Sequence, residues 1–137
     1  MSEFTVERDD ASAPFFDATA NGTLLVRRCP ACRATYPPQQ PRCADGTELE
    51  WVPATGRGTL VSWAVDHATA LDPVLASSDG WSVFGLVELD EGPWLQVPIV
   101  DVDPATLAAG RAMEVRFVRP GTGEAIPAFT NVAPPPP

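Results

Sequence analysis

The sequence predicts a mainly β protein in which a short N-terminal helix and a small cysteine ribbon precede a five-stranded barrel. Three observations predict it. Cys29-Pro30-Ala31-Cys32, with a partner at Cys43, has the spacing of a two-knuckle metal ribbon. From Thr59 onward the chain falls into short alternating runs rich in β-branched and aromatic residues, separated by Gly, Pro and Asp turns. The length of 137 residues, with 45% hydrophobic residues, supports one real core and a small attachment beside it.

Residues 1–12 are polar and acidic around an isolated Phe4, too little apolar surface to offset the entropy of ordering, and they read as a flexible arm. A helix follows: Ser12 can cap it, Pro14 suits its first turn, and Asn21-Gly22 provides a left-handed stop. Phe15 and Phe16 cannot share one narrow face. One of them is expected to pack on another element or on another chain.

Thr23-Leu24-Leu25-Val26-Arg27 is a β-prone run into the first knuckle, and Thr35-Tyr36-Pro37-Pro38 leads toward the second. Prolines at 30, 37, 38 and 41 fix φ and stiffen a module with little core of its own. Residues 13–53 thus read as a helix plus a degenerate zinc ribbon. The turn-rich joint Pro53-Ala54-Thr55-Gly56-Arg57-Gly58 opens the second unit, 54–130.

Within that unit, Thr59–Asp66 alternates as the first barrel strand, and His67–Gly80 reads as a long surface loop. Trp81–Leu89, the turn Asp90-Glu91-Gly92-Pro93, and Trp94–Val100 form a hairpin. Gly85 marks a bulge or a sharp bend, and Pro98 belongs at an edge or non-bonded position. Asp103-Pro104, ending at Gly110, predicts about two helical turns. Met113–Val118 and Ala125–Phe129 are the last strands, with Gly121-Thr122-Gly123 turning between them, and residues 131–137 read as a flexible tail. Five strands, a glycine-bearing hairpin and a helix before the fourth strand describe a Greek-key barrel of OB type.

The ribbon poses a chemical question. A structural zinc takes four N, S or O ligands, usually two from each knuckle. Here Asp45-Gly46 stands where the fourth cysteine belongs, so either Asp45 supplies an oxygen, an outside group supplies the ligand, or packing holds a metal-free ribbon. The candidate metal set is Cys29, Cys32, Cys43 and Asp45, and zinc held by it is expected to be weak or substoichiometric.

There are nine more acidic than basic residues, no lysine, and every cation is an arginine, which argues against nonspecific binding to polyanions. Four of the nine arginines, Arg27, Arg28, Arg33 and Arg42, fall within the ribbon. They are candidates for a phosphate or a partner's carboxylate, against the plainer reading of solvated charges. His67 is the single histidine, and no nucleophile–base pair is evident, so the chain is not expected to catalyse a reaction by itself. The runner-up reading is an OB barrel binding single-stranded nucleic acid by stacking bases on Trp63, Trp81, Phe84 and Trp94. Those aromatics are more often packing groups, and from Thr59 onward only Arg111, Arg116 and Arg119 could attract a polyanion. Without a long apolar run or a basic-then-apolar leader, the chain reads as cytoplasmic and not membrane-bound.

Over nearly its whole length the chain resembles the DUF35 family of ribbon-plus-OB proteins that accompany acyl-CoA enzymes. The resemblance rests on Phe15-Phe16-Asp17 before Gly22, Arg28-Cys29-Pro30-Ala31-Cys32, and Gly56-Arg57-Gly58-Thr59-Leu60-Val61-Ser62-Trp63. Further on it rests on Leu86–Pro93 and on Ile99-Val100-Asp101-Val102-Asp103 with Leu107, Gly110 and Val115. It implies a non-catalytic companion of thiolase-fold proteins, in thiolase or hydroxymethylglutaryl-CoA synthase complexes or with steroid side-chain hydratases and retro-aldolases. The implied partners are a thiolase-fold subunit in a hetero-oligomer and its acyl-CoA substrate. Phe15 and Phe16 are the expected partner contacts, and the four ribbon arginines the expected contacts to coenzyme A or the partner. The missing fourth cysteine is the one departure from the family pattern.

Overall fold

The structure, a computed structural model, describes residues 5–70 and 72–132; Phe4 and residues 133–137 lie outside them. Helix α1 spans Ala13–Ala20 with Pro14 in its first turn. Ser12 occupies the cap position, but its hydroxyl is taken by Asp9 Oδ1 at 2.7 Å and makes no capping bond to the helix. At the other end Gly22 adopts φ +78°, and Thr23 N donates to Ala18 O at 2.9 Å, the expected left-handed stop. Buried Thr19 pins the helix to the barrel by donating to Ala125 O at 2.7 Å.

The ribbon contributes β1 (Leu25–Arg28), β2 (Thr35–Tyr36) and β3 (Glu50–Pro53) in the order β2-β1-β3, both pairings antiparallel. Leu24 and Val26 are buried in the same core as Leu60, Ile99 and Phe129, so one side of the ribbon is sealed by the barrel. Cys29, Cys43 and Leu49 form a second, much smaller core with Tyr36 against it.

The barrel consists of β4 (Arg57–Thr69), β5 (Trp81–Leu89), β6 (Trp94–Ile99), β7 (Ala112–Val118) and β8 (Ile126–Asn131), closed in the order β4-β5-β6-β8-β7. This is the mainly β, OB-type architecture the sequence predicts. β4 is long enough to pair with both β5 and β7, with register shifts at Leu60/Ser62 and Asp66/Thr69. Gly85 is buried opposite Trp63, so it is a point of close approach, while the bulge sits on the facing strand. Pro98 pairs across from Phe84 on a strand whose other edge meets β8 in register only at Ile99 with Phe129.

Four local expectations are revised. β4 extends through Thr69, so His67 lies on a strand and the loop before β5 is shorter than His67–Gly80. The predicted two helical turns after Asp103 are one 3-10 turn, Pro104–Thr106, because Leu107 is drawn into the core in an extended conformation and Gly110 N donates to Leu60 O at 2.8 Å. β8 runs through Asn131, and Val132 N donates to Ala112 O at 3.1 Å, so strand pairing continues past residue 130. Residues 5–12 of the arm lie along the barrel: Glu124 N donates to Val6 O at 2.7 Å, and Arg8 pairs with both Glu124 and Asp17 at 2.6 Å. These ties are backbone and charge contacts, invisible to a count of apolar residues.

Candidate functional site

Two features converge on the ribbon: its cysteine cluster and a cleft between ribbon, helix and barrel. The first knuckle is closed by Cys29 N to Ala34 O at 2.9 Å and Arg33 N to Cys29 O at 2.8 Å, with Arg33 at φ +69°. Cys32 N points at Cys29 Sγ at 3.5 Å, the N–H to sulfur contact of a metal knuckle, and it holds the Cys29 thiol below its ordinary value. The second knuckle repeats the pattern one residue tighter: Cys43 N donates to Thr47 O and Gly46 N to Cys43 O, both at 2.9 Å, with Gly46 at φ +88°.

That shortening explains the aspartate. Asp45 stands two positions after Cys43, where Cys32 stands three after Cys29, and its longer side chain covers the difference. The ligand atoms of Cys29, Cys32, Cys43 and Asp45 all lie within 4.8 Å of one another, and Cys32 Sγ is 3.6 Å from Cys43 Sγ. Sulfurs on one tetrahedral zinc at about 2.3 Å stand roughly 3.7 Å apart, so the cluster fits a structural zinc. Asp45 Oδ1 accepts from Thr47 N at 2.8 Å, which lowers the carboxyl below its ordinary value and leaves Oδ2 for a cation. Tyr36 Oη lies 3.2 Å from Cys43 Sγ, a contact the sequence did not suggest; that contact raises the phenol.

The ribbon arginines do not act as one patch. Arg27 and Arg28 are adjacent on β1, so their side chains leave opposite faces of the sheet. Arg27 lies over the Trp51 ring, its guanidinium carbon 3.5 Å from the centroid, and Nε donates to Pro38 O at 3.2 Å. Arg28 instead faces Glu50 at 3.4 Å, and Arg42 donates to Gly46 O at 3.2 Å. Arg33 is exposed on the first knuckle.

Phe15 and Phe16 meet edge to face with centroids 5.3 Å apart, and Phe15 continues to Trp51 at 6.1 Å. Together with Arg27, Leu95 and Val97 they line a cleft of about 470 Å³. The sequence had picked out Phe15, Phe16 and Arg27 separately. Only the fold brings them together, and Trp51 was missed because a lone tryptophan before a turn carries no signal.

The barrel aromatics depart from the packing expectation. Trp63, Trp81, Phe84 and Trp94 are 36–50% exposed. Trp94 Nε1 donates to Glu88 at 3.0 Å, and the His67 ring meets Trp81 edge-on at 4.4 Å. Four arginines against ten acids between positions 57 and 131 leave this surface poorly suited to a polyanion. Among the described residues no helix is long and apolar enough to cross a membrane.

Comparison with known proteins fits this geometry. A family model described as ChsH2, C-terminal OB-fold domain, matches residues 51–118. The chain is 30% identical over 99 residues to a DUF35 domain-containing scaffold protein of Methanocaldococcus jannaschii, covering 70% of this chain and 68% of that protein. The chain belongs to the DUF35 family. A probable enoyl-CoA hydratase alpha subunit of Thermomonospora curvata is 28% identical over 131 residues, which is 94% of this chain but only 39% of that protein. Among solved structures, a chain of an Ltp2-ChsH2(DUF35) aldolase superposes with a TM-score of 0.75 at 25% identity, covering 90% of this chain and 96% of that one. A DUF35 protein of unknown function from Sulfolobus solfataricus shares the fold, with a TM-score of 0.57 at 11% identity over 90% of this chain and 85% of that one.

Proposed function

We propose that this DUF35 chain is a non-catalytic accessory subunit of an acyl-CoA enzyme complex. Its catalytic partner is a thiolase-fold subunit, a thiolase or a lipid-transfer-protein-like retro-aldolase of steroid or CoA side-chain degradation, in a cytoplasmic hetero-oligomer. One observation carries the reading: the likeness to a chain of an Ltp2-ChsH2(DUF35) aldolase extends over 96% of that chain. A scaffold protein among its relatives and an enoyl-CoA hydratase alpha subunit point to the same kind of work.

In this reading Phe15 and half-buried Phe16 in the middle of α1 are partner contacts together with the exposed barrel aromatics. Arg28, Arg33 and Arg42 of the ribbon meet coenzyme A or an acidic patch of the partner. Cys29, Cys32 and Cys43, with Asp45 as fourth ligand, hold one zinc ion whose role is to fix the two knuckles in place, more weakly than four thiolates would.

The test is co-expression with a candidate thiolase-fold subunit, followed by assays of each protein alone and of the complex. The expected result is a stable complex and acyl-CoA turnover that needs both chains. Phe16→Ala weakens co-elution without unfolding the barrel, and Arg28→Ala with Arg33→Ala raises KM while leaving kcat largely intact. Turnover by this chain alone, lost in His67→Ala, would overturn the accessory reading. A mobility shift with single-stranded oligonucleotide at low salt would favour the nucleic-acid alternative, for which the exposed aromatics are the supporting feature.

A further inference from the structure

The cleft between α1, the ribbon and β6 has the make-up of a small-molecule site. Its volume of about 470 Å³ lies in the usual range for such sites, and its walls are mostly apolar, with Phe15, Phe16, Trp51, Leu95 and Val97 contributed by three separate elements. Among the described residues the one cation lining it is Arg27.

That guanidinium is held but not satisfied. Stacking on Trp51 fixes its plane, and the Nε bond to Pro38 O fixes its rotation about that plane. Among the described residues its two terminal nitrogens have no hydrogen-bond partner, and no carboxylate lies within ion-pair distance. Partial burial pushes its pKa down, a sign that the charge is being kept where water solvates it poorly. A fixed cation with open donors, set among apolar walls, is a receptor for an anionic oxygen group attached to an apolar body.

Charge narrows the class. Asp9 also lines the cleft, its carboxyl held below the ordinary value by the Ser12 hydroxyl and so negative at neutral pH. With Arg27 the lining cation, Asp9 in the wall and Glu48 near enough to act on the Arg27 charge, a phosphoryl dianion or a pyrophosphate is disfavoured relative to a monoanion. We infer that the cleft binds an apolar monocarboxylate, an aliphatic or ring acid, whose carboxylate takes the terminal N–H groups of Arg27 while its hydrocarbon lies against Phe15, Phe16 and Leu95. Binding here does not require the partner, although Phe16 belongs both to the cleft wall and to the partner contact proposed above.

Isothermal titration of the purified full chain with octanoate, octan-1-ol and octyl phosphate below their aggregation limits tests it. Octanoate binds at least about tenfold more tightly than octan-1-ol, the margin expected for hydrogen bonds to a charged group, and more tightly than octyl phosphate. Arg27→Gln removes that margin, Arg33→Gln keeps it, and Phe16→Ala weakens acid and alcohol alike. Because Arg27→Gln also loses the stack on Trp51, its melting temperature is measured in parallel; if it does not fold, the ligand series on the native chain and on Phe16→Ala decides. Equal affinity for acid and alcohol, preference for octyl phosphate, undisturbed octanoate binding in folded Arg27→Gln, or no binding at all overturns the inference.

Discussion

A methyl group added at Gly85 probes how tightly the barrel is closed. Gly85 is buried on β5, and a Cβ there would lie 2.9 Å from both Cδ1 and Cγ1 of Ile99 and 3.1 Å from Cδ1 of Leu60. Neither neighbour has free space to enter, since Ile99 and Leu60 are fully buried. Overpacking of this kind costs about 1–3 kcal/mol. Alanine restricts the unfolded chain and returns about 0.4–1 kcal/mol. Gly85→Ala is therefore expected to destabilise by about 1–2 kcal/mol, read as a lower urea midpoint at unchanged slope. Ile99→Val removes Cδ1, one of the two crowding atoms, and by itself costs about 0.5–1.5 kcal/mol. The double variant should lose less than the sum of the two single losses, by about 0.5–1 kcal/mol, as coupled neighbours do. A neutral Gly85→Ala, or strict additivity in the double variant, would show that Ile99 yields freely and that glycine is not required by packing.

Three other outcomes follow from the same contacts. Gly58→Ala should be more damaging than Gly85→Ala, because its Cβ would run into the backbone carbonyl of Glu88, which cannot rotate away; an equal or smaller loss in the urea titration counts against this. The Arg8 hydrogen bonds lower the Glu124 carboxyl below its ordinary 4.5, so the stabilisation it contributes is complete above that value and is lost as pH falls through the depressed one. The melting-temperature gap between native chain and Glu124→Gln should thus hold steady near neutrality and close in acid, and a gap that persists unchanged to strongly acidic pH refutes it. Asp45→Ala should weaken zinc binding by at least about tenfold in a chelator competition, since even outer-shell partners are worth 10–100-fold. Unchanged retention in that variant would assign the fourth ligand elsewhere.

What the sequence determined by itself is what depends on neighbours along the chain. Cysteine spacing announced the knuckles, alternation announced the strands, and Asn21-Gly22 announced the helix stop, because turn, pleat and cap geometry are settled over a few consecutive residues. The same local patterns carried the family resemblance. The tertiary structure alone decided which groups meet. Arg27 and Arg28 are chemically alike and adjacent, yet their side chains leave opposite faces of the strand, so one stacks on Trp51 in the cleft and the other faces Glu50. Trp63 and Trp94 sit in strands as core residues do, but closure of the barrel leaves both exposed. Spacing alone does not show where Asp45 lies, and the tighter second knuckle brings its carboxylate into the thiol cluster. In each case the deciding contact is made by residues far apart in sequence, or by a difference of one residue in turn geometry, and neither leaves a trace in composition or periodicity.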